Sequence, residues 1–128
     1  MENWQVTEWV QHFIRLQVKE GDLCIDATMG NGNDTLLLAR LAGESGHVLA
    51  FDIQEQALKN TEERLNRAGL EKRCNLFRES HEYMFRYVRE ESVSCIVFNL
   101  GYLPGGCHET ATKAETTVRA IKEGLKLL

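Results

Sequence analysis

Apolar positions recur along this chain with two different spacings, and the changes between them mark the elements. Over residues 4–18, Val6, Trp9, Val10, Phe13 and Ile14 return at three- and four-residue intervals, with Gln5, Glu8, Gln11 and Arg15 outside, which predicts an amphipathic helix. After the turn Lys19-Glu20-Gly21-Asp22, the run Leu23 to Asp26 has no polar alternation, as expected of a parallel strand covered on both faces. A glycine turn then launches a helix from Asn33 to Leu41. Gly43-Glu44-Ser45-Gly46 ends it, and His47 to Phe51 forms a second strand. Gln54 to Ala68 is again helical, with Ala57, Leu58, Thr61, Leu65 and Ala68 on one side. Asp52 followed by Glu55 resembles a capping box, and Gly69 supplies the stop. A third strand covers Cys74 to Arg78, Ser80 caps a helix through Val88, and Val93 to Phe98 is a fourth strand ending at Asn99. A loop from Leu100 to Thr112 precedes a last helix from near Ala114, whose Val118, Ile121, Leu125 and Leu128 are expected to face inward.

Strand and helix alternate throughout, so residues 1–128 read as one α/β domain. Its sheet should be mostly parallel, in three αβα layers, with right-handed crossovers and a ligand at the strand C-termini. A four-strand sheet leaves Val93 to Phe98 as an apolar edge, which predicts either further chain or self-association, such as a homodimer, to cover it.

The stretch Asp26-Ala27-Thr28-Met29-Gly30-Asn31-Gly32-Asn33-Asp34-Thr35 sits between the first strand and its helix. Strand, glycine turn and helix in that order open a nucleotide-binding unit, and Gly30 and Gly32 let backbone pass close to a ligand. Asp52 ends the next strand, where the ribose-binding carboxylate of such folds sits. The charges discriminate between nucleotides. Asp26 and Asp34 flank the turn, and Thr35 replaces the third glycine of the dinucleotide fingerprint. Each carboxylate at 4–8 Å from a pyrophosphate would cost about 2–4 kcal/mol at an effective dielectric near 20. The same carboxylates favour a cationic ligand without phosphate. S-adenosylmethionine, with its sulfonium and ammonium, fits better than NAD, and an NAD-dependent oxidoreductase is the weaker alternative. Asp26, Thr28, Gly30, Asn31, Gly32, Asn33, Asp34 and Asp52 are therefore candidate cofactor contacts. Asn31 and Asn33 could equally be turn formers, and Asp52 a plain helix cap.

Composition narrows the partners. No apolar run reaches the length of a membrane span, and the N-terminus lacks the basic region of a signal peptide, so a cytoplasmic protein is expected. A net charge of -4 argues against a strong non-specific nucleic-acid binder but leaves room for RNA held by a local patch. The basic residues Arg64, Arg67, Lys72 and Arg73 read first as a solvated helix face. Cys24, Cys74, Cys95 and Cys107 show no metal-ligand spacing; three fall in predicted strands, where buried reduced thiols are expected. Cys107, in a glycine loop, has no adjacent proline to mark it as a methyltransferase nucleophile. His12, His47 and His108 read as surface histidines.

Asn99-Leu100-Gly101-Tyr102 follows the fourth strand and should face the same crevice. The Asn99 side-chain carbonyl and the Leu100 backbone carbonyl can accept hydrogen bonds from a target amine, while Tyr102 stacks on a base. The spacing echoes the N-P-P-Y loop of amino-methyltransferases, with Leu-Gly in place of Pro-Pro. Ser80 is a helix cap, yet it and His81 stand where an adenine pocket closes.

Together the glycine turn, Phe51-Asp52-Ile53-Gln54-Glu55-Gln56-Ala57 and Asn99-Leu100-Gly101-Tyr102-Leu103-Pro104-Gly105-Gly106 resemble the bacterial rRNA methylase family of class I S-adenosylmethionine-dependent methyltransferases. The resemblance implies a Rossmann-like sheet and N-methylation of the 5-aminomethyl group of (2-thio)uridine at the tRNA wobble position, with an rRNA target as the alternative. It implies cofactor contacts from Asn31 and Asn33, the ribose side held by Asp52 and Gln54, and the adenine end lined by Ser80 and His81. Asn99 to Tyr102 would meet the substrate amine, and Asn99 would also contact the cofactor. It also implies that C-terminal strands are missing here, so that a truncated cofactor-binding module without activity is a further alternative. Cys107 departs from the acidic residue usual at that place in the family.

Overall fold

The computed structural model describes residues 5–99 and 109–128. Leu100, Gly101, Tyr102, Cys107 and His108 lie outside the described residues. Helix α1 (Val6–Gln17) precedes β1 (Leu23–Asp26), α2 (Asn33–Ala42), β2 (His47–Phe51), α3 (Glu55–Ala68), β3 (Cys74–Phe77), β4 (Cys95–Val97) and α4 (Glu109–Leu127). The four strands are all parallel, in the order β3-β2-β1-β4. This is the expected α/β class.

Alternate side chains of each strand point to opposite faces, and both faces are covered. Cys24 and Val48 pack with Ile14, Leu38, Ala39 and Leu65 of α1, α2 and α3 and with Val18 just after α1. Ile25, Leu49 and Phe51 point the other way, against Met84, Ala120 and Leu127. Because the polar exception on β1, Asp26, falls at the strand's last position, the core is closed below it and the chain turns above it. Gly69 ends α3 in the left-handed region with φ +71, as the sequence predicts. Cys24 is buried, and Cys74 and Cys95 half-buried; burial pushes the Cys24 and Cys74 thiols up to about 12, which keeps them protonated and inert.

Four expectations are corrected. The segment after Ser80 is a 3-10 helix over His81–Arg86 rather than an α-helix through Val88, closed by Tyr83 N–H to Ser80 O and Tyr87 N–H to Met84 O bonds. Only Met84 in it is buried, so no second turn of apolar contacts rewards α-helical propagation. Phe13 on α1 is 59% exposed and stacks on Trp9 instead of entering the core. The capping box at Asp52 is absent, because Gln54 is the residue at the helix boundary and makes no side-chain cap.

The fourth correction concerns α4, which starts at Glu109 and is rotated from the expected face. Ala120, Gly124 and Leu127 face the sheet, while Val118, Ile121, Leu125 and Leu128 are exposed. The small residues let the helix lie close: a Cβ on Gly124 would stand 3.0 Å from Met84 Cε and 3.3 Å from Ile96 Cδ1. Close approach over a flat sheet favours Ala and Gly, and it outweighs the larger side chains one turn-face away.

Candidate active site

The crevice forms where the chain leaves the carboxyl ends of the strands. Backbone bonds continue the parallel ladders beyond the strands and tie these departures together: Ala27 N–H to Val97 O (2.8 Å), Met29 N–H to Phe51 O (2.9 Å) and Asp52 N–H to Phe77 O (3.1 Å). Turn, carboxylate and third-strand end are thereby held in one place although 50 residues separate them in sequence.

Gly30 and Gly32 are both in the left-handed region, at φ +51 and +86, for different reasons. A Cβ on Gly30 would meet nothing nearer than the Thr28 carbonyl at 4.0 Å, so that position looks into open space. A Cβ on Gly32 would fall 2.9 Å from Thr61 Cα and Oγ1. Gly32 is thus a packing glycine, seated on α3, and Gly30 is the one that keeps the crevice open. The fully buried Thr61 donates from Oγ1 to the Gly30 carbonyl at 3.2 Å, and Asn60 Nδ2 donates to Asn31 Oδ1 at 3.1 Å. Helix α3 therefore grips the turn from the side. Neither Asn60 nor Thr61 was legible as a site residue, because α3 lies 30 positions away and its polar residues read as ordinary helix surface or stripe.

Asp52 accepts the Gly30 N–H at Oδ2 (3.2 Å) and the Gln54 N–H at Oδ1 (2.9 Å). It joins the glycine turn to the start of α3 and remains partly exposed. Gln54, Asn31 and Asn33 are exposed around it. Ser80 Oγ accepts from Glu82 N–H (3.4 Å), as a cap should, and His81 stands beside the turn with Nδ1 3.1 Å from the Ala27 carbonyl. Since a carbonyl only accepts, Nδ1 carries the proton, and Nε2 is left as an acceptor. Burial lowers the His81 pKa against the pull of that bond, so the ring is neutral at pH 7. Phe98 meets it edge-to-face with centroids 5.5 Å apart.

The other two aspartates are arranged differently from what their flanking positions implied. Asp26 is fully buried beneath the turn, accepting from Thr35 Oγ1 (2.7 Å) and from Thr28 N–H (3.2 Å). Burial pushes its carboxyl up to about 7 in spite of the Thr35 bond, with Asp34 adding to the rise. It therefore carries only part of a charge at neutral pH and does not face the crevice, and the electrostatic preference for a cationic ligand rests less on Asp26 than its sequence position implied. Thr28 extends this chain, its Oγ1 accepting the Asn99 N–H at 2.6 Å. Asp34 is also buried and its pKa raised, chiefly by burial, with hydrogen bonds from the Asn99 and Gln11 side chains opposing the shift. A bond that stabilises the carboxylate is a donated one, so Asn99 presents its NH2 to Asp34 and keeps Oδ1 for another partner. Gln11, brought in from α1, carries no local signal that marks it as part of the site. Among the described residues no group of three or more His, Cys, Asp or Glu could hold a metal ion, and no helix is long and apolar enough to cross a membrane.

A parallel β3-β2-β1-β4 sheet with an open glycine turn after β1, a carboxylate after β2 and an Asn after β4 is a Rossmann-like arrangement, and the solved structures it matches are class I methyltransferases. The chain belongs to the family described as "Putative rRNA methylase", whose model matches residues 48–128. It is 41% identical to the chloroplastic tRNA (mnm(5)s(2)U34)-methyltransferase of Arabidopsis thaliana over 93% of this chain and 47% of that relative. It superimposes on the "putative rRNA-methylase" of Clostridium thermocellum with a TM-score of 0.88 at 42% identity, over 98% of this chain and 67% of that one. The structure of "a putative methyltransferase" from Streptococcus mutans, in complex with S-adenosylhomocysteine, matches with a TM-score of 0.79 at 38% identity, over 94% and 64% of the two chains. The chain thus spans about half the length of the curated plant relative and two thirds of the solved bacterial ones.

Proposed function

We propose that this protein is an S-adenosylmethionine-dependent RNA methyltransferase that methylates the exocyclic amine of 5-aminomethyl-(2-thio)uridine at the tRNA wobble position. The observation that carries the reading is the pairing, in one crevice, of the Asp52–Gly30 junction with an Asn99 amide whose NH2 is already engaged. The plant relative, named for methylation at that tRNA position, supports the choice of substrate.

The residues fit the cofactor. Each Asp52 oxygen accepts one backbone N–H and has capacity for another donor, which suits the two hydroxyls of a ribose. The space over Gly30 takes the ligand's body without a Cβ in the way. Ile53, 46% exposed beside Asp52, offers an apolar surface to adenine, with His81 and Ser80 on the third-strand side. Asn31 and Asn33 supply side-chain amides toward the methionine end. Bound there, S-adenosylmethionine supplies a methyl group already activated by a sulfonium, so that alignment matters more than acid–base work.

Alignment is what Asn99 provides. Its backbone N–H is fixed on Thr28 and its NH2 on Asp34, one anchor in the turn that carries the cofactor site and the other in the first turn of α2. An amine donating to Oδ1 has its lone pair directed away from that bond, toward the crevice. Leu100 O and Tyr102 are assigned to the same task, as second acceptor and stacking ring. Neutral His81, packed edge-to-face on Phe98 next to Asn99, adds a further acceptor.

The test is nucleoside mass spectrometry of tRNA and rRNA from a deletion strain. Accumulation of the unmethylated 5-aminomethyl nucleoside in tRNA, reversed by the gene, is the expected result. Unchanged tRNA with a methyl group missing from rRNA would move the activity to the ribosome. Calorimetric titration with S-adenosylhomocysteine and with NADH separates the reading from an oxidoreductase, which predicts the second ligand to bind and the first to fail.

A further inference from the structure

A groove of about 670 Å³ lies outside the crevice, between α2 and α3, with Asn31 and Asn60 at one end and Arg40, Arg64 and Arg67 along it. Its charge runs against that of the molecule. The whole chain carries -4, yet the groove holds three arginines and one carboxylate, Glu63. Glu63 pairs with Arg67. Arg40 and Arg64 have no ion-pair partner among the described residues. Both are exposed, and among the described residues no hydrogen bond or ion pair commits them to the fold. Arg73, in contrast, is committed to the fold through the Ala39 carbonyl at 3.3 Å.

The two helices give this groove a direction. Both start at the crevice, α2 from the glycine turn and α3 just after Asp52, and run away from it together. Asn60, Arg64 and Arg67 lie on successive turns of α3, covering about 10 Å at 1.5 Å per residue. Asn31 belongs to the turn itself and is hydrogen-bonded to Asn60, so the groove is continuous with the site. Unpaired guanidinium forks recognise phosphate oxygens, and neutral Asn amides serve ribose hydroxyls and phosphates without adding charge. A line of such groups ending at a methyl-transfer site matches a polynucleotide backbone and not a compact anion.

Resting on the RNA methyltransferase reading, we infer that the α2–α3 groove is the track for the backbone of the substrate RNA, with Arg40 and Arg64 contacting phosphates outside the modified nucleotide. These contacts set affinity and register, and they leave base recognition to the crevice.

The test compares the wild-type protein with R40E/R64E and R40K/R64K, using total tRNA from a deletion strain as the probe across a KCl series. Two phosphate contacts contribute about 1.4 to 1.8 to the slope of log affinity against log salt, which is on the order of 30-fold at 0.1 M KCl. R40E/R64E should lose that slope and affinity, with its KM for tRNA raised, its S-adenosylhomocysteine affinity unchanged and its thermal melt unchanged. R40K/R64K, which keeps both charges, should retain most of the slope. Wild-type affinity and slope in R40E/R64E would overturn the groove while leaving the methyltransferase reading intact, as would equal loss in the lysine variant. Failure of the wild-type protein to bind either tRNA or rRNA would overturn both.

Discussion

Asp26 offers a test of the site's architecture that needs no substrate. The carboxyl is fully buried and accepts hydrogen bonds from Thr35 Oγ1 and Thr28 N–H, and burial raises its pKa from 3.8 to about 7. Below pH 4 it is protonated in both folded and unfolded protein. Between pH 4 and 7 the folded state keeps the proton and the unfolded state releases it, so stability falls as pH rises through this window. A rise of that size corresponds to about 4 kcal/mol, all of it lost by pH 8. Asp26→Asn removes the titration and preserves the shape: Oδ1 can accept from Thr28 N–H, and Nδ2 can donate to Thr35 Oγ1 after that hydroxyl turns. Urea denaturation of both proteins from pH 4.5 to 8 isolates the effect, because every other group titrates in both. The variant should gain about 3 kcal/mol relative to wild type across the range. A difference flat to within about 0.5 kcal/mol would show that Asp26 titrates normally, and that the turn is not sealed over it.

Three further outcomes follow from the contacts around the turn. Gly32→Ala places a Cβ 2.9 Å from Thr61 backbone and hydroxyl at φ +86, and should cost about 2 kcal/mol or more in chemical denaturation; a loss below about 0.5 kcal/mol would mean that α3 does not seat the turn. Asp52→Ala removes the acceptor of two backbone donors and of the proposed ribose hydroxyls, so calorimetry should read S-adenosylhomocysteine binding about 10- to 100-fold weaker, and unchanged affinity would remove Asp52 from the site. Asn99→Ala should lower kcat on tRNA by about 100-fold while cofactor affinity shifts by less than about 3-fold; an equal loss in both would make Asn99 a cofactor residue rather than an aligning one.

The parts of the site legible in the sequence are those made by neighbours along the chain. Gly30 to Asp34 and Asp52 could be located because strand, turn and carboxylate follow each other at fixed separation. What each aspartate does was not legible in that way. Asp26 ends β1 and Asp52 directly follows β2, yet one is sealed and half-protonated and the other is partly exposed, because the turn after β1 folds over its own strand end and the one after β2 does not. The grip of Thr61 and Asn60 on the turn and the Gln11–Asp34–Asn99 junction join elements roughly 20 to 90 positions apart. No local pattern announces them.

Helix α4 shows the same division in the core. Periodicity correctly marks it as amphipathic, but the face with the larger apolar residues is not the one that packs. By itself the sequence determined the order and type of the elements, the parallel sheet and the place of the ligand turn, since these depend on spacing, chirality and backbone freedom. The tertiary structure alone decided which face of α4 is buried, which carboxylate is sealed beneath the turn and which arginines line a groove. Burial, pKa and close approach are properties of what surrounds a residue, and those surroundings come from distant parts of the chain.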